Sequence, residues 1–275
     1  MLTESTAVVR GRPLRYLDPG GPGRPVLALH GHFGRARAFA GLAVALAPRY
    51  RVIALEQRGH GRSADPVADA GDFGRAAYVA DAADFVGVLR LGPVPVVGHS
   101  VGGLTAFQLA AWRPELVSAL VVEEGGAENR RPRVAHPVLD VGDWPRRAPT
   151  LAGLRSLVEA RGIPDAGYFL ESAVERADGW GFLFDPDAMM ASQRAAVGDW
   201  WADWLGSTCP ALLVHGAAST VLPTPLATEM VDRRPGSVLR TFPGCGHWVH
   251  DDDPAGFARA VRAFLDALPA ADPTG

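Results

Sequence analysis

Cysteine is scarce in this chain: of 275 residues, only Cys209 and Cys245 carry a thiol. So few exclude a scaffold built on disulfides and make a reducing compartment, the cytoplasm, the expected location. The N-terminal stretch lacks the charged segment and apolar segment of a secretory leader. No apolar run approaches the roughly 18 residues of a membrane span, so no membrane association is expected. Surplus charge is missing too. The 27 Lys and Arg against 30 Asp and Glu leave −3, which gives no electrostatic reason to expect nucleic acid as a partner. Internal repeats and low-complexity tracts are also absent. What remains is enough chain for one large α/β domain with a substantial core.

Short apolar runs recur along the chain and alternate with helical stretches. Ala7-Val8-Val9 and Leu14–Leu17 flank Arg10-Gly11-Arg12-Pro13 and read as a hairpin. Pro25–Leu29, Tyr50–Leu55, Val94–Val97, Ala119–Val122, Ala211–His215 and Val238–Phe242 read as strands. Helices are expected over 36–47, 74–89, 101–112, 225–233 and 254–268. This alternation specifies a mostly parallel sheet covered on both faces. The rhythm breaks after Glu124. About 80 residues of loops, expected helices at 151–160 and 164–177, and a tryptophan-rich segment are too long for a simple connection. They read as a helical lid at 125–207, between core segments 1–124 and 208–275.

The richest stretch is Val96-Val97-Gly98-His99-Ser100-Val101-Gly102-Gly103. A buried strand runs into Gly-x-Ser-x-Gly and then into a helix, which makes a sharp turn that thrusts the Ser100 hydroxyl outward. Side chains at Gly98 and Gly102 would collide with neighbouring backbone. The helix beginning at Val101 aims free N–H groups and its positive end at the same spot, where an oxyanion would develop.

Together with His30-Gly31, Arg58-Gly59-His60-Gly61-Arg62-Ser63 and Gly244-Cys245-Gly246-His247, this stretch resembles the α/β-hydrolase family. The likeness runs over nearly the whole chain outside the lid. It implies an eight-stranded, mostly parallel sheet with helices on both faces, a lid inserted after the sixth strand, and a triad in the order serine, acid, histidine. Ser100 is then the nucleophile and His247 the base, with a near-neutral pKa suited to shuttling a proton. The oxyanion hole draws on the backbone amides of Val101 and His32. His30, His60, His99 and His215 are expected to be structural, and His250 to shape the loop of His247.

The acid departs from the common family pattern. Ser219 stands where an aspartate is expected, and no carboxylate occurs between Cys209 and Glu229. Some relatives place the acid at the end of the sixth strand, where this chain has Glu123-Glu124. Neighbours on a strand point to opposite sides, so one of the two can face His247. Glu124, which precedes Gly125-Gly126, is the first candidate and Glu123 the reserve.

These residues predict a cofactor-free, metal-free serine hydrolase acting on a small to medium, largely apolar ester or lactone. Ser100 argues against epoxide hydrolases and haloalkane dehalogenases, which need Asp there. Carbon–carbon bond hydrolases and perhydrolases share the triad, and a non-catalytic binder or pseudoenzyme is the alternative from another class. Of the aromatics, Phe33, Trp144, Trp180, Phe182 and Trp204 are the candidates for an apolar pocket above Ser100. The five arginines from Arg130 to Arg147 read as a solvated loop, and the oligomeric state stays open.

Overall fold

The computed structural model describes residues 2–63, 72–163 and 166–269. The expected outer ends of the core, residues 1 and 275, and Pro164, the expected start of a helix, lie outside the described residues. β1 (Thr3–Val9) and β2 (Arg12–Asp18) form the hairpin, with Val9 opposite Arg12. Its two turn residues, Arg10 and Gly11, have φ of 51° and 77°, the sign that a two-residue turn between right-twisted strands requires. The alternation follows with β3 (Arg24–Leu29), α1 (Ala40–Leu46), β4 (Tyr50–Leu55), α2 (Arg75–Val88), β5 (Val94–His99), α3 (Val101–Trp112) and β6 (Val117–Glu123).

An inserted segment comes next. It contains β7 (Glu128–Asn129), α4 (Leu151–Glu159), α5 (Gly167–Leu170), β8 (Ala173–Arg176), β9 (Gly179–Phe182), α6 (Pro186–Ala196), β10 (Gly198–Asp199) and α7 (Trp201–Gly206). The main sheet then resumes with β11 (Ala211–Gly216), α8 (Thr224–Arg233) and β12 (Ser237–Phe242), and α9 (Val249–Asp252) and α10 (Pro254–Ala267) follow. Among the described residues, no helix is long and apolar enough to cross a membrane.

The main sheet has eight strands in the order β1-β2-β4-β3-β5-β6-β11-β12. The β1–β2 and β2–β4 pairs are antiparallel and the others parallel. Its central strands are apolar in unbroken runs because both faces are covered. The two-residue period divides them cleanly. Leu27, Leu29, Ile53, Leu55, Val96, Leu120, Val122 and Leu213 join α2, α3, α7 and α8 in one cluster. Val26, Ala28, Val52, Ala54, Val97, Val121, Leu212 and Val214 join α1 and α10 in another.

The inserted segment packs a third cluster of its own, around Phe33, Trp144, Leu154, Phe169, Phe182, Phe184 and Met189. It is not wholly helical. Where one helix is expected over 164–177, the chain makes only α5 and then the β8–β9 hairpin, turned at Ala177-Asp178 ahead of Gly179 with φ of 118°. The segment also divides in its loyalties. Trp201 and Trp204 on α7 belong to the cluster under the sheet, against α3, rather than to the insertion's own core.

Candidate active site

The parallel strands β5, β6 and β11 end together at the sheet's carboxyl edge, where ligands gather in folds of this kind. The turn out of β5 is tightly determined. A Cβ at Gly98 would sit 2.3 Å from the carbonyl oxygen of Gly102, and one at Gly102 would sit 2.1 Å from that of Leu29. Between them Ser100 adopts φ 53° and ψ −120°, a sparsely populated conformation that costs about 1–3 kcal/mol and is tolerated where surrounding structure imposes it. Its amide donates to the Glu123 carbonyl at 2.8 Å. Directly after it, Val101 opens the first turn of α3, where N–H groups have no intrahelical acceptor.

Glu123 and Glu124 diverge at the end of β6: Glu123 is its last residue, and Glu124 leaves the strand with φ of 55°. Glu124 turns toward His247, with Oε2 at 3.3 Å from Nδ1. The same carboxylate collects three further donors: His215 Nδ1–H at 2.9 Å and the Gly216 amide at 2.8 Å on Oε1, and the Ser219 hydroxyl at 2.5 Å on Oε2. Burial alone would raise the pKa of Glu124. The hydrogen bonds from His215, His247 and Ser219 outweigh that burial and hold it below the ordinary carboxylate value. The serine that replaces the usual aspartate therefore fastens the carboxylate arriving from the neighbouring strand. Glu123 faces the other way, to His250.

The neighbouring histidines are committed to structure. His30 donates from Nδ1 to the Gly31 carbonyl at 2.8 Å and accepts the Gln57 amide on Nε2 at 3.1 Å. His99 donates from Nε2 to the His247 carbonyl at 2.9 Å. Burial pushes both pKa values well below the usual histidine range, and that of His60 to about 4. His215 Nε2 lies 2.9 Å from the Thr224 hydroxyl. The ring of His32 is held by the Ser192 hydroxyl at 2.9 Å, which in turn pairs with the Tyr78 hydroxyl at 2.8 Å. Burial keeps His32 uncharged as well.

Ser100, Val101, His32, Glu124 and His247 all border one cavity of about 340 Å³. Its apolar wall includes Phe33, Leu104, Ile163, Phe169 and Trp248, and polar groups enter from Asn129, His136, Arg161 and Gln193. No hydrogen bond joins Ser100 to His247 among the described residues. Such links often close only with substrate bound.

Of the expected pocket residues, Phe33 lines this cavity and the other four do not. Trp144 and Phe182 are buried in the insertion's own cluster, 5.8 Å apart between ring centres. Trp180 pairs its backbone with Ala148 on the hairpin edge. Trp204 lies under the sheet, edge-on to Phe107 and with its indole N–H on the Met230 carbonyl. An insertion with a core of its own must fill that core first, so its aromatics are drawn inward. Phe169 and Trp248 line the cavity and were missed. Trp248 could have been found from its place next to His247.

As for metals, His99, Glu123 and His250 bring donor atoms within 4.8 Å of one another. Both oxygens of Glu123 and Nε2 of His99 are already taken up by hydrogen bonds. Within the cluster the hydrogen bonds join His250 to Glu123, while His99 Nδ1 and His250 Nε2 have no hydrogen-bond partner among the described residues.

Comparison with known proteins agrees with this architecture. A model of the alpha/beta hydrolase family matches residues 26–260. The chain is 31% identical to the sn-1-specific diacylglycerol lipase ABHD11 of Mus musculus, over 95% of this chain and 88% of that protein. It is 27% identical to the 2-hydroxy-6-oxo-6-(2'-aminophenyl)hexa-2,4-dienoic acid hydrolase of Metapseudomonas resinovorans, over 93% and 88%. The crystal structure of E-2-(acetamidomethylene)succinate hydrolase superposes with a TM-score of 0.84 at 24% identity, covering 97% of this chain and all of that one, a likeness of fold.

Proposed function

The chain belongs to the alpha/beta hydrolase family and is a hydrolase; from that premise we propose that it cleaves a small to medium, largely apolar carboxylic ester or lactone through an acyl-enzyme. The observation that carries this reading is the Glu124 carboxylate on His247 Nδ1, at the rim of a cavity that Ser100 also borders. Ser100 Oγ attacks the substrate carbonyl while His247 Nε2 takes its proton. Glu124 holds the imidazole in the productive tautomer and stabilises the imidazolium that forms. The Val101 and His32 amides receive the oxyanion. Collapse expels the alcohol, protonated by His247, and water repeats the sequence on the acyl group. The segment 125–207 roofs the cavity and acts as the lid. The mixed wall and the volume suit a small organic substrate better than a long chain.

A second reading, carbon–carbon bond hydrolysis with the same serine, is favoured by the relative from Metapseudomonas and by the polar groups at Asn129, Arg161 and Gln193. A fluorophosphonate probe and a panel of p-nitrophenyl esters, lactones and vinylogous diketones test both. Labelling of Ser100 with ester or lactone turnover supports the first reading. Labelling with turnover of diketones alone supports the second. An inert Ser100 defeats both and leaves a binding protein.

A further inference from the structure

A second histidine–carboxylate pair lies beside the first, and the proposed chemistry does not use it. Glu123 is fully buried, and His250 nearly so. The Glu123 carboxylate accepts from the His250 amide at 2.8 Å and from its Nδ1–H at 2.8 Å on Oε1 and 2.9 Å on Oε2. A buried carboxylate is expensive unless it is paired in this way.

Where the pair sits matters more than its strength. The backbone carbonyl of Glu123 accepts the Ser100 amide at 2.8 Å, so the same residue holds the nucleophile by its main chain and the histidine loop by its side chain. His250 lies three residues after His247, as the second residue of α9. From the other direction His99, the residue before Ser100, donates to the His247 carbonyl at 2.9 Å. The His99 ring lies 4.7 Å from that of His247 and 4.9 Å from that of His250. Ser100 and His247 are thus joined by a closed frame: His99 to His247, His247 along the chain to His250 in the first turn of α9, His250 to Glu123, and Glu123 back to Ser100.

We propose that Glu123 and His250 are positioning residues that set His247 over Ser100, while Glu124 alone supplies the charge that His247 needs. The two adjacent glutamates divide the work: one orients and charges the base, the other fixes the height of the loop that carries it. This inference rests on the serine-hydrolase reading. It also explains why a loop as short as Gly244–His247, in a site whose usual aspartate is missing, keeps its register.

The test is a mutant cycle on p-nitrophenyl ester hydrolysis. Glu123→Gln keeps the shape but weakens the hold on His250, and should lower kcat by roughly 10- to 100-fold with KM changed less than about twofold, as sub-ångström misplacement of a catalytic group does. In a His247→Ala background, the residual activity should no longer respond to Glu123→Gln. His250→Asn, whose amide N–H can replace Nδ1–H, should keep most of kcat, and His250→Leu should lose as much as Glu123→Gln. If Glu123→Gln does not fold, the two His250 variants decide. Unchanged kcat in Glu123→Gln or His250→Leu, or an equal loss with and without His247, overturns the positioning role while leaving the hydrolase reading standing. Wild-type protein that neither labels at Ser100 nor turns over ester overturns the hydrolase reading, and the positioning role with it.

Discussion

The floor of the cavity and its roof are built by different physics. The floor, at the ends of β5, β6 and β11, is over-determined. Backbone crowds the elbow too closely for a side chain at Gly98 or Gly102, and four donors converge on the buried Glu124 carboxylate. The roof is an inserted segment with an aromatic core of its own, edged by exposed ion pairs such as Arg147–Asp178 at 3.0 Å and Arg161–Asp143 at 3.5 Å. The two meet at the His30–Gly34 loop, where Ser192 holds the His32 ring and the Ser172 hydroxyl donates to the Phe33 carbonyl at 2.9 Å. On the proposed reading the floor carries the chemistry and the roof shapes what enters.

The sharpest way to break this contrast is to remove the nucleophile. Ser100→Ala should lower ester turnover by about 10⁵-fold or more, since loss of one triad member costs nearly as much as loss of all. Circular dichroism and thermal unfolding should show the fold intact. Turnover within tenfold of wild type would move the chemistry off the floor altogether. Next in size is the acid. Glu124→Gln should reduce kcat by up to about 10⁴-fold, the scale seen when a triad carboxylate loses its charge. Ser219→Asp in that background restores an anion on the same side of His247, because the Ser219 hydroxyl already sits 2.5 Å from the Glu124 carboxylate. A recovery of tenfold or more in kcat is the expected sign, and no recovery would show that the anion must arrive from β6.

A pH titration of stability separates the regions without mutation. Burial lowers the pKa of His30, His32, His60 and His99 in the folded protein. The unfolded chain therefore binds more protons than the folded one as pH falls below about 6.5, so stability is lost in that direction, by up to about 1.4 kcal/mol per pH unit for each group. For His60 the loss runs from about 6.5 down to about 4. Glu124, whose folded pKa is lowered, adds a loss in the same direction at lower pH. His250 opposes them: burial lowers its pKa, the Glu123 charge more than reverses this, and the net value is raised. Its contribution is present below 6.5 and fades as pH rises through the raised value. Urea unfolding at pH 7 and pH 5 should show a drop of several kcal/mol. A flat profile would mean that the floor histidines are not buried as neutral groups.

How much of this was legible in sequence follows the same division. Strand positions were readable because each central strand is buried on both faces and must be apolar throughout. The elbow was readable because few residue types fit its turn, and the glutamate pair because it ends the sixth strand; alternation does not choose between them, since Glu124 leaves the strand with φ of 55° and both carboxylates meet the histidine loop. The roof was less so. Trp144, Trp180, Phe182 and Trp204 satisfy a core, a hairpin edge or the underside of the sheet as well as they would a pocket, and nothing local in the sequence separates these. The helix expected over 164–177 ends just before Asp178-Gly179, a turn signal; what the local pattern does not show is that 173–176 pairs across that turn with 179–182 as a hairpin. Phe169 reaches the cavity only because the third cluster folds over Phe33, a long-range contact that no window of sequence contains.

The smallest expected effect sharpens the contrast from the roof. Arg146 pairs with both Asp185 and Asp187, at the start of α6. The group sits where a helix N-terminus already favours the two carboxylates. If charge held the roof in place, Arg146→Ala would loosen α6, shift Ser192 and disturb His32. Its side chain is 53% exposed, however, and Asp185 and Asp187 are 51% and 77% exposed. Water and salt screen such pairs, and holding long side chains in place costs entropy, so the median exposed pair contributes about 0–1 kcal/mol. Asp185 also keeps its cap on the amides of Asp187 and Ala188 at 2.9 and 3.1 Å without Arg146. Arg146→Ala should therefore change unfolding free energy by less than about 1 kcal/mol and leave kcat and KM for the ester unchanged. Ser192→Ala, one deleted oxygen on the buried face of the same helix, should change both constants. The reverse outcome, an active-site effect from Arg146 and none from Ser192, would mean that the roof is set by its rim and not by the joint at His32.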